Sequence, residues 1–199
     1  MNTFYKTYPS KFKCKSHEHC KEVLYDLLIS MMNIDSWKNT IMRIFKNALS
    51  GKPDYKGLTP GDHAYFGNEF LKLIYSAHYL YENCYLEPVD APCLEDLVPH
   101  RELASSPNLS EYIYLLPSRL DIQEIRNPWI VLKRFFLKKS LKKWVKKWNE
   151  MRDYAICNFS GAEENAEDFM EHSEDFIRLT EACYIIYTRL FDHSKTKTS

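Results

Sequence analysis

Eight cationic side chains and no acidic one lie between Lys133 and Lys147: Lys133, Arg134, Lys138, Lys139, Lys142, Lys143, Lys146 and Lys147. Ammonium and guanidinium groups set in a line neutralise phosphate oxygens, an attraction that needs charge and spacing but no contact with a base. At a helical step of about 100° per residue, Lys138, Lys139, Lys142, Lys143, Lys146 and Lys147 share one half of the surface, and Leu141, Trp144, Val145, Trp148, Met151 and Ala155 share the other. The two tryptophans travel with the apolar set, which makes them core anchors rather than platforms for stacking bases. The lysines admit two readings. As an exposed face they attract a nucleic acid, an acidic protein or, as a basic amphipathic helix, a membrane surface or a peptide-binding partner. As an internal feature they meet the acids that follow: Glu163, Glu164, Glu167, Asp168, Glu171, Glu174 and Asp175. A short connection sets the two segments antiparallel, with Glu163 to Asp168 expected beside Arg152 rather than beside Lys138.

Cys14-x-x-His17-x-His19-Cys20 is a second cluster of reactive types. Thiolate and imidazole are zinc ligands, and four of them complete a tetrahedral site. The spacing matches no common zinc module, and a helix starting near Ser16 turns these groups in different directions, so no metal is expected. His63 and His78 belong to an aromatic helix and give the ingredients of a histidine-containing pocket, together with the proline-rich segment that follows. His100-Arg101-Glu102 has acid–base capability without an evident partner. A glycine-rich phosphate loop, a nucleophile elbow, His-Glu-x-x-His and Cys-x-x-Cys are all missing from the sequence, so no cofactor is expected.

The elements that must position these groups read as helices. Val23, Leu24, Leu27, Leu28 and Met31 recur at helical spacing behind Ser16, with Asn33 or Asp35 ending the run. Trp37, Ile41, Ile44, Phe45 and Leu49 form the face of the next. Thr59-Pro60-Gly61-Asp62 starts a helix over 62–85, whose stripe (Phe66, Phe70, Leu73, Ile74, Ala77, Leu80, Tyr81 and Cys84) is widened by Tyr65, Tyr75, Tyr79 and Tyr85 into a central position or a tyrosine-rich groove. Pro88, Pro92, Pro99, Pro107 and Pro117 break residues 87–119 into a long connection, with helical turns expected around Leu94–Val98 and Ser110–Leu116. Asp121-x-x-Glu124 is a capping box. Asn127 caps a helix containing Trp129, Leu132, Phe135 and Phe136, Ser140 caps one running to about Asn158, and a last helix extends from Asn165 to about Phe191.

The formal charge is zero, from 27 basic and 27 acidic residues. That balance hides four alternating blocks: residues 1–60 carry a net +5, 61–120 a net −6, 121–160 a net +6 and 161–199 a net −5. Charged faces can therefore meet inside one molecule or between two copies in a homo-oligomer. The amino terminus has no apolar segment of signal-peptide type and no run suits a transmembrane helix. Six cysteines scattered through such a chain read as reduced thiols of a cytoplasmic protein.

Asn127, Pro128, Val131 or Leu132, Phe135, Phe136, Ser140, Leu141 and Trp144 resemble a pattern of uncharacterised helical proteins of the Bacteroidota, N-P-x-x-V-x-x-F-F-x-x-x-S-L-x-x-W. The resemblance covers about twenty residues. It implies a bacterial, intracellular, all-helical protein and carries no catalytic residue across. The expected architecture is a single all-α domain over 1–199, a helical bundle of about six helices, with potential halves at 1–86 and 120–193 on either side of the proline-rich 87–119. The expected function is non-enzymatic binding or regulation, using the lysine-rich helix or the tyrosine-rich groove for a protein or nucleic-acid partner. The competing expectation is a helical enzyme with its site at His63, His78 and the proline-rich connection.

Overall fold

A computed structural model describes residues 12–50, 52–55, 57–105, 112–157, 160 and 162–192, with the backbone alone at 162–165. Among these residues the chain is all-α and contains no strand. In chain order the helices are α1 (His17–Tyr25), α2 (Ile34–Leu49), α3 (Pro60–Asn83), α4 (His100–Ser105), α5 (Ile122–Arg126), α6 (Trp129–Lys138), α7 (Leu141–Ile156) and α8 (Ala162–Tyr187). π-helical turns extend α1 over Asp26–Met31 and α8 over Thr188–Asp192.

Local chemistry sets four of the eight starts. The Ser16 hydroxyl accepts from the His19 amide at 3.1 Å and the Asn33 side chain from the Ser36 amide at 2.8 Å. Thr59 and Asp62 cap α3 reciprocally, with Pro60 in the first turn, and Asp121 and Glu124 do the same for α5. Each such pair satisfies amides that the helix leaves without an intrahelical acceptor. Asn127 departs from expectation. It closes α5, its amide donating to the Gln123 carbonyl at 2.9 Å, and Pro128 stands at the cap of α6. A proline has no amide to leave unsatisfied there, so the next helix starts one residue later than expected. In the α2–α3 loop, buried Asn47 exchanges hydrogen bonds of 3.1 and 3.0 Å with the backbone of Asp54. Gly57, at φ +86°, makes the turn that follows.

Helix α8 occupies the centre, packing on α1, α2, α3, α5 and α6. All residues from Leu179 to Thr188 are buried, so its second half is enclosed on every side. The apolar stripe of α3 had suggested that helix for the central place. It is instead the broad partner of α7, with Tyr65 and Tyr85 exposed towards its two ends. One hydrophobic cluster joins residues from Cys20 to Phe191. Its middle is aromatic: Phe70 lies 4.2 Å from Trp148 and 5.6 Å from Trp37 between ring centroids, and Phe176 closes on Trp144, Trp148 and Phe135 at 5.4, 5.0 and 5.9 Å. Each buried indole also donates its N–H to a carbonyl, Trp37 to Leu27, Trp144 to Phe135 and Trp148 to Gly67, at 2.6–2.7 Å. Trp129 is the exception, its indole N–H buried without an acceptor among the described residues.

The proline-rich connection is tied down rather than free-running. It contains a 3₁₀ turn at Leu94–Asp96, the unexpected short helix α4 directly after Pro99, and a 3₁₀ turn at Ile113–Leu115. Ser110, assigned to that last turn from the sequence, lies outside the described residues. Two anchors, one buried and one half-buried, hold the connection to α8 and the turn that extends it. Glu181 accepts from the amides of Ser118 and Arg119 at 2.7 and 2.9 Å, and the Arg189 guanidinium donates to the carbonyls of Asp96, Ile125 and Arg126.

Candidate functional site

The lysine-rich helix begins where α6 ends. The Phe135 ring stacks on Trp144 at 4.0 Å with the planes 13° apart, folding α6 against the first turn of α7 across Lys139 and Ser140. Trp144, Trp148, Met151 and Ala155 are buried and Lys142, Lys143 and Lys146 are exposed, the division that the periodicity predicts. Contacts with α8 run in opposite chain directions. Tyr154 meets Phe169, Trp148 meets Phe176, and Trp144 meets both His172 and Phe176.

That register divides the cations into two sets. On the flank facing α8, Lys138 reaches Asp175 at 2.6 Å and Glu171 at 2.7 Å. Lys147 reaches Asp168 at 3.0 Å and Glu150 at 3.2 Å. Burial pulls both ammonium groups down, but their hydrogen bonds to these carboxylates outweigh it and hold both above the ordinary lysine value. The carboxylates respond in the opposite sense. The hydrogen bond from Lys147 lowers Asp168, and the one from Lys138 lowers Glu171. Asp168 thus lies beside Lys147, not beside Arg152, which binds Asn68 of α3 at 2.7 Å and its own neighbour Asp153. The side chains of Glu163 and Glu164 lie outside the described residues.

The other set points away. Lys142 and Lys143 are exposed and make no ion pair or hydrogen bond among the described residues. The Lys139 ammonium lies 5.2 Å from the centre of the Trp144 ring. Lys146 touches Glu150 at 3.5 Å but is 77% exposed, where water and salt screen such a pair. On α6, Lys133 stands 5.7 Å over Trp129, and Arg134 donates to Glu124 at 2.6 Å. The eight cations of the sequence therefore do not form one surface. Lys138, Lys147 and Arg134 are bonded within the molecule, while Lys142, Lys143 and Lys146 form an outer edge of α7, with half-buried Lys139 at the end of α6 beside it.

Between α6 and α8 lies a cleft of about 430 Å³ with Val131 and Phe135 among its apolar walls and Arg134, Lys138 and Arg178 among its charged ones. Its centre of charge is Glu124, fully buried, which accepts from both Arg134 and Arg178. Asp121-x-x-Glu124 identified this carboxylate as a cap. Nothing local announced its two arginine partners, 10 and 54 residues further on.

Comparison of the chain with protein-family models, curated proteins and solved structures gave no match.

The remaining sequence candidates separate. His17 turns to Cys84, 3.4 Å from its sulfur, and to the Phe191 ring, while His19 accepts from the Lys15 amide. Cys14 and Cys20 both turn to Ser76 of α3. Among the described residues no cluster has the geometry of a metal site. His63 pairs with Asn47 at 3.3 Å and packs edge-on to Tyr55, whereas His78 pairs with Glu82 at 3.3 Å and packs edge-on to Phe136. Fifteen residues of helix, about 22 Å, separate them, so no single pocket holds both. Burial lowers the pKa of each imidazole below the usual histidine value. The α3 tyrosines do not line one groove either: Tyr75 is buried, Tyr81 stacks on Trp129 and Phe136, and Tyr65 and Tyr85 face solvent. Among the described residues no helix is long and apolar enough to cross a membrane.

Proposed function

We propose that this protein binds the phosphate backbone of a nucleic acid, without chemistry of its own, through the outer edge of α7. One observation carries the reading: Lys142 and Lys143 project with no acidic partner among the described residues while their neighbours Lys138 and Lys147 are ion-paired to α8. Lys142, Lys143 and Lys146 follow one another on α7 at intervals of one and three residues, and Lys139, extended two places before that helix, lengthens the line to about 10 Å. That length faces about three phosphates of one strand. Lysine meets them as a mobile point charge, so the contact reads charge and not sequence. The inner lysines serve the edge indirectly, by fixing α7 on α8.

Pairing within the molecule changes the expected salt dependence. Four lysines rather than six give a slope of log K against log salt of about −3.5 on duplex DNA. The measurement is a fluorescence-anisotropy titration across potassium chloride concentrations, with Lys142→Glu/Lys143→Glu expected to abolish binding. A flat dependence, or undiminished binding by that variant, sinks the reading. Leu137, exposed beside this edge in the chain, favours a second one: an acidic protein surface with an apolar contact. It is chosen if nucleic acid fails and binding of an acidic partner weakens on Leu137→Ser.

A further inference from the structure

Two thiols that the sequence offered only as doubtful metal ligands are brought together by the fold. Cys14 lies two residues before the Ser16 cap and Cys20 is the fourth residue of α1, the places where a helix's entry segment packs back on its first turn. Both sulfurs converge on Ser76 of α3: Cys14 Sγ is 3.2 Å from its hydroxyl, and the Cys20 thiol donates to its carbonyl at 3.7 Å. Their surroundings differ. Cys14 is half-buried between exposed Lys13 and Lys15, whereas Cys20 has no solvent contact.

We propose that Cys14 and Cys20 form a peroxide-responsive dithiol that closes to a disulfide, stapling the entry segment to the first turn of α1. Cys14 is the attacking thiol. A hydrogen bond from Cys20 lowers it, burial opposes this, and a hydrogen bond from Ser76 adds to the lowering, taking it from 9.0 to about 7. Its thiolate attacks hydrogen peroxide; an S–O bond forms, the O–O bond breaks, and hydroxide leaves with the proton balance returned to water. Sulfur is oxidised to the sulfenic acid and the peroxide is reduced. Cys20 is held far up as a thiol, first by its hydrogen bond to Cys14 and then by burial. Once Cys14 is no longer a thiolate the first of these causes is gone. Cys20 then gives up its proton, its sulfur attacks that of Cys14, the S–S bond forms and the S–O bond breaks, releasing water. Exposure alone does not select this pair, because Cys93 and Cys157 are the exposed thiols and the neighbouring acids Glu95 and Asp96 raise Cys93.

The reduced full chain, treated with hydrogen peroxide at pH 7 and digested with trypsin, is read by mass spectrometry. The expected product is a Cys14–Cys20 linked peptide pair lighter by two hydrogens. It should appear before any oxidation product at Cys93 or Cys157, since the lowered Cys14 thiol gains thiolate even as it loses part of its intrinsic nucleophilicity. In Cys20→Ala, dimedone should trap a sulfenic acid at Cys14, and Ser76→Ala should slow the reaction. First oxidation at Cys93 or Cys157, a Cys14–Cys84 link, or a persistent Cys14 thiol overturns the proposal. A second reading needs no variant: the pH profile of Cys14 alkylation in the wild-type chain should have its midpoint near 7, and a midpoint above 8 overturns it.

Discussion

Glu124 and Glu181 have no solvent contact, yet neither is a misplaced charge, because each is met by several donors. Glu181 collects the Ser118 amide and hydroxyl and the Arg119 amide, with the Lys38 ammonium 3.6 Å away. Removing such a carboxylate strands the groups that faced it. Glu181→Ala is expected to lower the unfolding free energy by about 3 kcal/mol, measurable by urea denaturation, with a smaller loss for Glu181→Gln. Residues of this kind set the limit of what the chain reveals before folding. Trp144 and Trp148 were legible as core anchors because their period is local. Glu181 is one acid in an otherwise apolar run, and only the fold brings Ser118 and Lys38 to it. Ser76 gave no signal at all, since its role depends on two cysteines more than fifty residues away.

Helices α3 and α7 cross at Gly67, whose carbonyl takes the Trp148 indole at 2.7 Å. A methyl group there would come within 2.5 Å of Arg152 Cδ and 2.7 Å of its Cγ, and Arg152 is pinned by Asn68 and Asp153. Gly67→Ala is therefore expected to destabilise by about 1 kcal/mol, the overpacking exceeding the gain in helix propensity. The check is a thermal melt of the variant. A rise in Tm would show that Arg152 yields freely. The long helices were legible to within a few residues, because caps such as Thr59–Asp62 and Asp121–Glu124 are written in neighbouring positions. Helix α4 was not, for it is six residues long and its stability comes from docking, with the His100 amide donating to Asp192 across the molecule.

At the scale of the molecule the last two charge blocks, 121–160 and 161–199, meet in ion pairs between α6–α7 and α8. Their pH response follows from the shifts. Asp168 and Glu171 are lowered on folding, so their contribution is complete above the ordinary carboxylate values and lost as the pH falls through the lowered ones. Lys138 and Lys147 are raised, so theirs is complete below the ordinary lysine value and lost as the pH rises beyond it. His63 and His78, lowered by burial, favour the unfolded chain once it begins to take up protons below 6.5. Stability should therefore decline in two stages as the pH falls below about 7, a profile that Tm against pH would display. A single-stage loss confined to pH below 4 would contradict the histidine assignments. The arrangement of the core also has a consequence for synthesis. Helix α2 finds its main partners in α7 and α8, so most of its apolar face must wait for those helices to be translated. At roughly 5–20 residues per second that wait is on the order of 10 s. During it the apolar face of α2 on the nascent chain is a natural target for ribosome-associated chaperones.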